Sequence, residues 1–280
     1  MIDLHTHSTC SDGTCTPTEV VQQAKKAGVS VLALTDHDTV SGIEEAQKEA
    51  KTQGIKFISG IELSIERDFG EFHLLGYGMD IYNKHLTELI AKSASDRDRR
   101  NIKICEMLKK ESIQIDYEEL KKKYTGMIGR PHFAKFLKEQ NKVSSTQEAF
   151  DKYFAYNRPF FLKTPGVNFN DAVWAIKQAG GVPVIAHPMS LYLSWAKLPD
   201  EIKKLKKDGL IGLEAWNAGT RAGSCRRLEA LAKSLGLIAT AGSDFHGKNK
   251  VGHQLGRKIT GEPIDDYFYT ENLATVLIQD

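Results

Sequence analysis

The residues able to do chemistry in this chain are histidines and carboxylates, and they come in small groups. His5 and His7 stand two apart, so an extended backbone points both rings to one side. Asp12 sits in Ser11-Asp12-Gly13-Thr14, a turn able to fold back over them. Asp36-His37-Asp38, Glu62, His187, and Asp244 with His246 follow further along the chain, and His73 lies between. Imidazole nitrogens suit Zn, Mn and Fe, and carboxylates widen the choice towards Mn and Fe. The set does not match a hydrolytic triad, because no Gly-x-Ser-x-Gly elbow is present. Walker-type and Gly-x-Gly-x-x-Gly phosphate loops are absent too.

Taken singly, each group has a plain structural reading. An isolated His-x-His is often incidental, and Asp-His-Asp suits a turn before a helix. Their placement argues otherwise, because nearly all follow directly on a predicted strand. The spacing predicts strands over 2–4, 29–34, 56–63, 71–77, 182–186, 210–215 and 237–241, with helices over 17–28, 40–52, 169–178 and 221–235 between them. Thr16 and Glu19 form a capping-box pattern ahead of the first helix, and Gly28 ends it. Alternating strands and helices point to an α/β fold with parallel strands, whose C-terminal strand ends gather on one face. Five separated segments then deliver polar side chains to one place. His73 is the exception, since it lies within or early in its strand.

From about residue 83 to 163 the pattern changes to helices rich in charge, such as Asp96-Arg97-Asp98-Arg99-Arg100. Residues 1–82 and 164–280 are therefore expected to build the barrel, and 83–163 a helical insertion serving as a substrate cap. The chain has 280 residues, 41% hydrophobic, enough for a sizeable core, and a net charge of +2 that excludes a general polycation for nucleic acid. The first residues lack the pattern of a signal peptide, and no apolar run approaches the roughly 18 residues that span a membrane. A cytoplasmic location with reduced cysteines is the expectation, with neither a membrane nor a stable protein partner implied.

The motifs Asp3-Leu4-His5-Thr6-His7-Ser8, Leu34-Thr35-Asp36-His37-Asp38-Thr39, Gly60-Ile61-Glu62, Phe72-His73-Leu74, Ala186-His187-Pro188 and Gly242-Ser243-Asp244-Phe245-His246 run in the order of the PHP (polymerase and histidinol phosphatase) family, which the chain resembles from residue 3 to 246. That resemblance implies a distorted (β/α)7 barrel with up to three divalent metals. It implies His5, His7, Glu62 and Asp244 on one metal, and His73 and His187 with a shared Glu62 on a second. Asp12, His37 and His246 would hold a third, with Asp12 standing where some relatives have histidine. A helical insertion before Gly129-Arg130-Pro131-His132 is similar to the branch of AMP and 3′,5′-nucleoside bisphosphate phosphatases and 5′→3′ exoribonucleases.

The expected activity is hydrolysis of a nucleotide phosphoester, or of the 5′ end of short RNA, by a hydroxide bridging two of two or three Mn, Fe or Zn ions. Asp36 is a candidate acid for the leaving group. Arg130, His132 and Lys163 are candidates for substrate phosphate, since a guanidinium offers a bidentate fork to it. Asn217 and His253 are rim candidates. Competing readings are a phosphatase of another metabolite such as histidinol phosphate, a proofreading module of a polymerase, and a metal-stabilised binding module without turnover. The length of the chain weighs against the polymerase module, and the many carboxylates weigh against a purely structural metal site.

Overall fold

The computed structural model describes residues 1–124, 126–163 and 166–277. Its contacts divide the chain into two units, Met1–Ile90 with Gly166–Asp280, and Ala91–Pro165.

The first unit is a seven-stranded sheet in sequential order. Its strands are β1 (Ile2–Asp3), β2 (Val31–Leu34), β3 (Lys56–Ser64), β4 (His73–Tyr77), β5 (Val182–Ile185), β6 (Gly212–Asn217) and β7 (Ile238–Gly242). The sheet curls until its ends meet. Leu4 N–H donates to Ala241 O at 3.2 Å, His7 N–H donates to Phe245 O at 2.8 Å, and Thr6 bridges Phe245 in parallel. A nearly closed seven-stranded barrel results, as expected. Gly242 is required at this seam, since a Cβ there would lie 2.3 Å from His5 Cβ.

The expected parallel strands are found in four pairings, and β4 departs from them. β4 pairs antiparallel with both β3 and β5, while β1–β2, β2–β3, β5–β6 and β6–β7 are parallel. The chain turns back through the short 65–72 connection, which is too brief for the crossover helix a parallel neighbour needs. The N-terminal end of β4 therefore lies at the face where the other strands end.

Helices α1 (Pro17–Ala27) and α2 (Ile43–Gln53) pack on each other and on β2 and β3. The capping box forms as the sequence implies: Glu19 N–H donates to Thr16 Oγ1, Thr16 N–H donates to Glu19 Oε2, and Gly28 ends α1 in the left-handed region at φ 86°. α2 starts three residues later than expected, after Gly42. Strands β2 and β5 are buried along their whole length, with helices over the outer faces. An apolar core runs from Ile2 and Leu4 through Ile61, Leu74 and Val184 to Leu213.

Helix α3 (Lys84–Lys110) runs from the first unit into the second, which adds α4 (Tyr117–Lys123), α5 (Arg130–Glu139), α6 (Thr146–Ala149) and a π-helical turn over Phe150–Phe154. This unit has its own apolar core, including Leu108, Leu120, Phe133, Leu137 and Phe154. In the first unit α7 (Phe169–Gln178) contacts β4 and β5, α8 (Leu198–Lys207) follows β5, and α9 (Ala222–Leu235) covers β6 and β7. The stretch 263–277, which carries little sequence signal, forms the short helix α10 (Tyr267–Thr270) and a 3-10 turn, and residues 278–280 lie outside the described residues. Among the described residues no helix is long and apolar enough to cross a membrane.

Candidate metal centre

His5 and His7 leave the end of β1, His37 leaves β2, Glu62 lies near the end of β3, His187 follows β5, and Asp244 and His246 follow β7. His73 opens β4, and the reversal of that strand brings it to the same face. All nine histidines and carboxylates expected to hold metal converge. Four groups place their ligand atoms within 4.8 Å of one another: His7, Asp12, His37 and His246; His5, His7 and Asp244; His5, Glu62 and His187; His37, Glu62 and His73.

Glu62 stands at the centre. Its Oε2 lies 3.2 Å from His5 Nε2, 3.1 Å from His7 Nε2 and 3.2 Å from His37 Nδ1. Its Oε1 lies 3.0 Å from His73 Nδ1 and 2.9 Å from His187 Nε2. One carboxylate thus faces five imidazoles, an arrangement that suits a bridge between two cations. His5 Nε2 and His7 Nε2 are 3.1 Å apart, with Asp244 Oδ1 3.6 and 3.5 Å away. Asp12 Oδ1 lies 3.1 Å from His246 Nε2.

Among the described residues, three buried atoms here, His37 Nδ1, Glu62 Oε2 and His246 Nε2, have close polar neighbours but no well-directed hydrogen bond. Leaving such groups unsatisfied costs about 1–3 kcal/mol each. Buried ligand atoms that crowd together without a well-directed hydrogen bond, mixed imidazole and carboxylate donors and a shared carboxylate together fit divalent metal ions.

The imidazoles are aimed from behind. His5 Nδ1 donates to Glu214 Oε1 at 2.9 Å, leaving Nε2 for the centre. His246 Nδ1 donates to Asp244 O at 2.9 Å, and His187 Nδ1 meets Ser190 Oγ at 2.9 Å. Such partners set the tautomer and the ring orientation of a metal-binding histidine. Glu214 also accepts from His187 N–H at 2.8 Å and from Asn217 Nδ2 at 3.1 Å. The backbone is bent to suit: Asp38, His187 and Asp244 hold φ of 52°, 26° and 53°. Left-handed conformations in non-glycine residues cost about 1–3 kcal/mol and cluster at functional sites.

The charges respond to one another. Burial lowers the His5 imidazolium, but Glu214, Glu62 and Asp244 hold it well above its ordinary value. Burial and His246 push His7 well below its own. Burial raises the Glu62 carboxyl, yet His37, His5 and His73 hold it well below the usual carboxylate range. Asp244 is likewise held low against its burial, by Lys250 first and then His246 and His5.

Glu214 and Lys250 were not singled out in the sequence. Glu214 is 1% exposed within a buried strand, and a charge inside such an apolar run was the signal available. Lys250 Nζ lies 2.6 Å from Asp244 Oδ2, and nothing in its local sequence marks it. Asp36, the candidate acid, is 2% exposed and has its oxygens taken by Ser8 N–H, Ser8 Oγ and Ser11 Oγ at 2.7, 2.6 and 2.5 Å. Asn217 contacts Glu214, and His253 Nδ1 lies 3.1 Å from Asp244 O.

In the second unit, Arg130 lies over the Phe161 ring at 5.2 Å, and His132 Nδ1 accepts from Gly129 N–H at 3.0 Å, capping α5. Lys163 lies in the segment after the Phe160–Phe161 pair and is exposed.

A seven-stranded barrel with a histidine-carboxylate cluster at its strand ends defines a metallohydrolase-like class of protein. The PHP domain family matches residues 3–161. The chain is 35% identical to a 5′-3′ exoribonuclease of Haemophilus influenzae, over 87% of this chain and 89% of that one. It is 31% identical to a 3′,5′-nucleoside bisphosphate phosphatase of Chromobacterium violaceum, over 99% and 98%. A solved metal-dependent phosphoesterase of Bifidobacterium adolescentis, assigned that activity as a prediction, superposes with a TM-score of 0.85 at 31% identity, covering 97% of this chain and 95% of that one. The chain belongs to the PHP domain family.

Proposed function

We propose that the chain hydrolyses phosphoesters of nucleotides, either AMP or a 3′,5′-nucleoside bisphosphate, or the 5′ end of a short RNA. The observation that carries this reading is the convergence of nine ligand side chains, with five of the imidazoles on the one carboxylate of Glu62. The names of the relatives point to the same substrate class.

His5, His7, Glu62 and Asp244 are assigned to one divalent ion, Glu62, His73 and His187 to a second, and Asp12, His37 and His246 to a third. Mn, Fe or Zn so held would supply Lewis-acid charge to the phosphoryl oxygens and lower the pKa of water. The protein's part is to hold the donors in place. Glu214 fixes the His5 ring and the His187 backbone, and Ser190 fixes the His187 ring. We assign Asp36 to holding the Ser8 and Ser11 hydroxyls, hence the turn that carries Asp12, in place of proton donation. Arg130, His132 and Lys163 stay assigned to substrate phosphate on the chemistry of their side chains.

The test is phosphate release from AMP, adenosine 3′,5′-bisphosphate and a short 5′-phosphorylated RNA with Mn²⁺, comparing wild type with Asp244→Ala. Release by wild type that vanishes in the variant supports the reading, and the preferred substrate selects its branch. No release from any of the three would overturn the nucleotide assignment.

A further inference from the structure

Two large aromatic side chains stand exposed on loops that spring from the metal-binding face of the barrel. Phe69 lies in the connection from β3 to β4, between Glu62 and His73, and is 59% exposed. Tyr192 follows the 3-10 turn after His187 and is 69% exposed. Their ring centroids are 5.9 Å apart, with the planes tilted by 52°.

The loops are held together by polar contacts. Glu71 N–H donates to Ser190 O at 2.9 Å, and Ser190 Oγ donates to Glu71 O at 2.8 Å. The same Ser190 hydroxyl meets His187 Nδ1, so the aromatic pair and a metal-binding histidine share one scaffold. Arg67 Nε donates to Phe69 O at 2.8 Å. Gly70 sits at φ 81°, and a Cβ there would lie 2.9 Å from Ser190 O, so the loops touch backbone to backbone. Tyr192 holds a left-handed backbone, φ 52°, in which a glycine or asparagine would be easier to place. Burial gives no reason for a tyrosine there, because its ring faces solvent.

We propose that Phe69 and Tyr192 form a stacking platform for the nucleobase of the substrate, whose phosphate lies at the His187 end of the same scaffold. This inference rests on the nucleotide reading above and assigns its base-binding element. Aromatic rings accept any base by its π face, so the platform favours nucleotides over other phosphoesters without choosing among bases.

The test separates base from phosphate. Turnover of AMP and of ribose 5-phosphate, which lacks the base, is compared in wild type, Phe69→Ala, Tyr192→Ala and the double variant. Binding of adenosine, which lacks the phosphate, is followed by saturation-transfer NMR with Zn²⁺ present. Both residues are exposed, and unchanged thermal unfolding verifies that the variants fold. The expected result is a loss of about tenfold or more in kcat/KM for AMP in the double variant, with ribose 5-phosphate changed less than about twofold, and loss of the adenosine signal. Tyr192→Phe, which keeps the ring, should retain both. An adenosine signal that is absent in wild type or survives the double variant overturns the platform, as does an equal loss for both phosphoesters. Phosphoester hydrolysis by wild type is read separately, so a failed platform leaves that activity standing.

Discussion

At the scale of single residues, the metal centre consists of its ligands and of the side chains that aim them, such as Glu214 behind His5. Histidines and carboxylates at strand ends announce themselves, and all nine converge. Glu214 contacts no ligand position in sequence, so only the fold shows that it aims His5. Replacing it with glutamine keeps the shape but removes the charge-assisted bond at His5 Nδ1. Metal affinity should fall about 10–100-fold in a chelator-competition titration, beyond the loss of about 1–3 kcal/mol of stability from the donor that the amide leaves unpaired. Unaltered affinity would remove Glu214 from the site. The proton balance gives a second prediction. His5, His73 and His246 are all held above the ordinary imidazole value, against their burial, by the carboxylates facing them. In metal-free protein these rings keep their protons to higher pH than a free imidazole does, and an incoming cation must displace them. Affinity for Mn²⁺ or Zn²⁺ should therefore weaken as pH falls from 8 to 6, with protons released on binding. Calorimetry in buffers of different ionisation enthalpy measures that release, and a pH-independent affinity with no released protons would contradict it.

At the scale of elements, the sequence marks α1 closely because its signals are local: a capping box at Thr16 and Glu19, then Gly28. The direction of β4 is not local. A run such as His73–Tyr77 reads alike in either direction, and only pairing with β3 and β5 decides it. That is why His73 seemed misplaced at the start of a strand, and why the reversal resolves it. The barrel seam is another non-local feature. Gly242→Ala would push a methyl group against His5 Cβ and the His5 backbone. Overpacking of this kind costs about 1–3 kcal/mol. A fall in Tm of several degrees, measured by calorimetry and accompanied by weaker metal binding, is expected. An unchanged Tm would show that the seam can open without cost.

At the scale of the whole molecule, the sequence separates an α/β rhythm from a helical, charged stretch, and the structure has a barrel unit and a second unit with its own core. The join is hard to read because α3 begins in one unit and continues into the other, so its helical pattern is unbroken where the unit changes. The unit Ala91–Pro165 holds Arg130, His132 and Lys163, the side chains we propose for substrate phosphate. The central claim is that the clustered donors hold divalent cations and that phosphoester hydrolysis depends on them. Its most direct test is phosphate release from adenosine 3′,5′-bisphosphate by protein stripped with a chelator and then given Mn²⁺, in wild type and in Glu62→Gln. The prediction is that stripping abolishes release, that Mn²⁺ restores it to wild type, and that Glu62→Gln recovers less than about a hundredth of it, since one altered carboxylate serves five imidazoles. Undiminished release by the stripped protein, or full recovery by Glu62→Gln, would contradict the account.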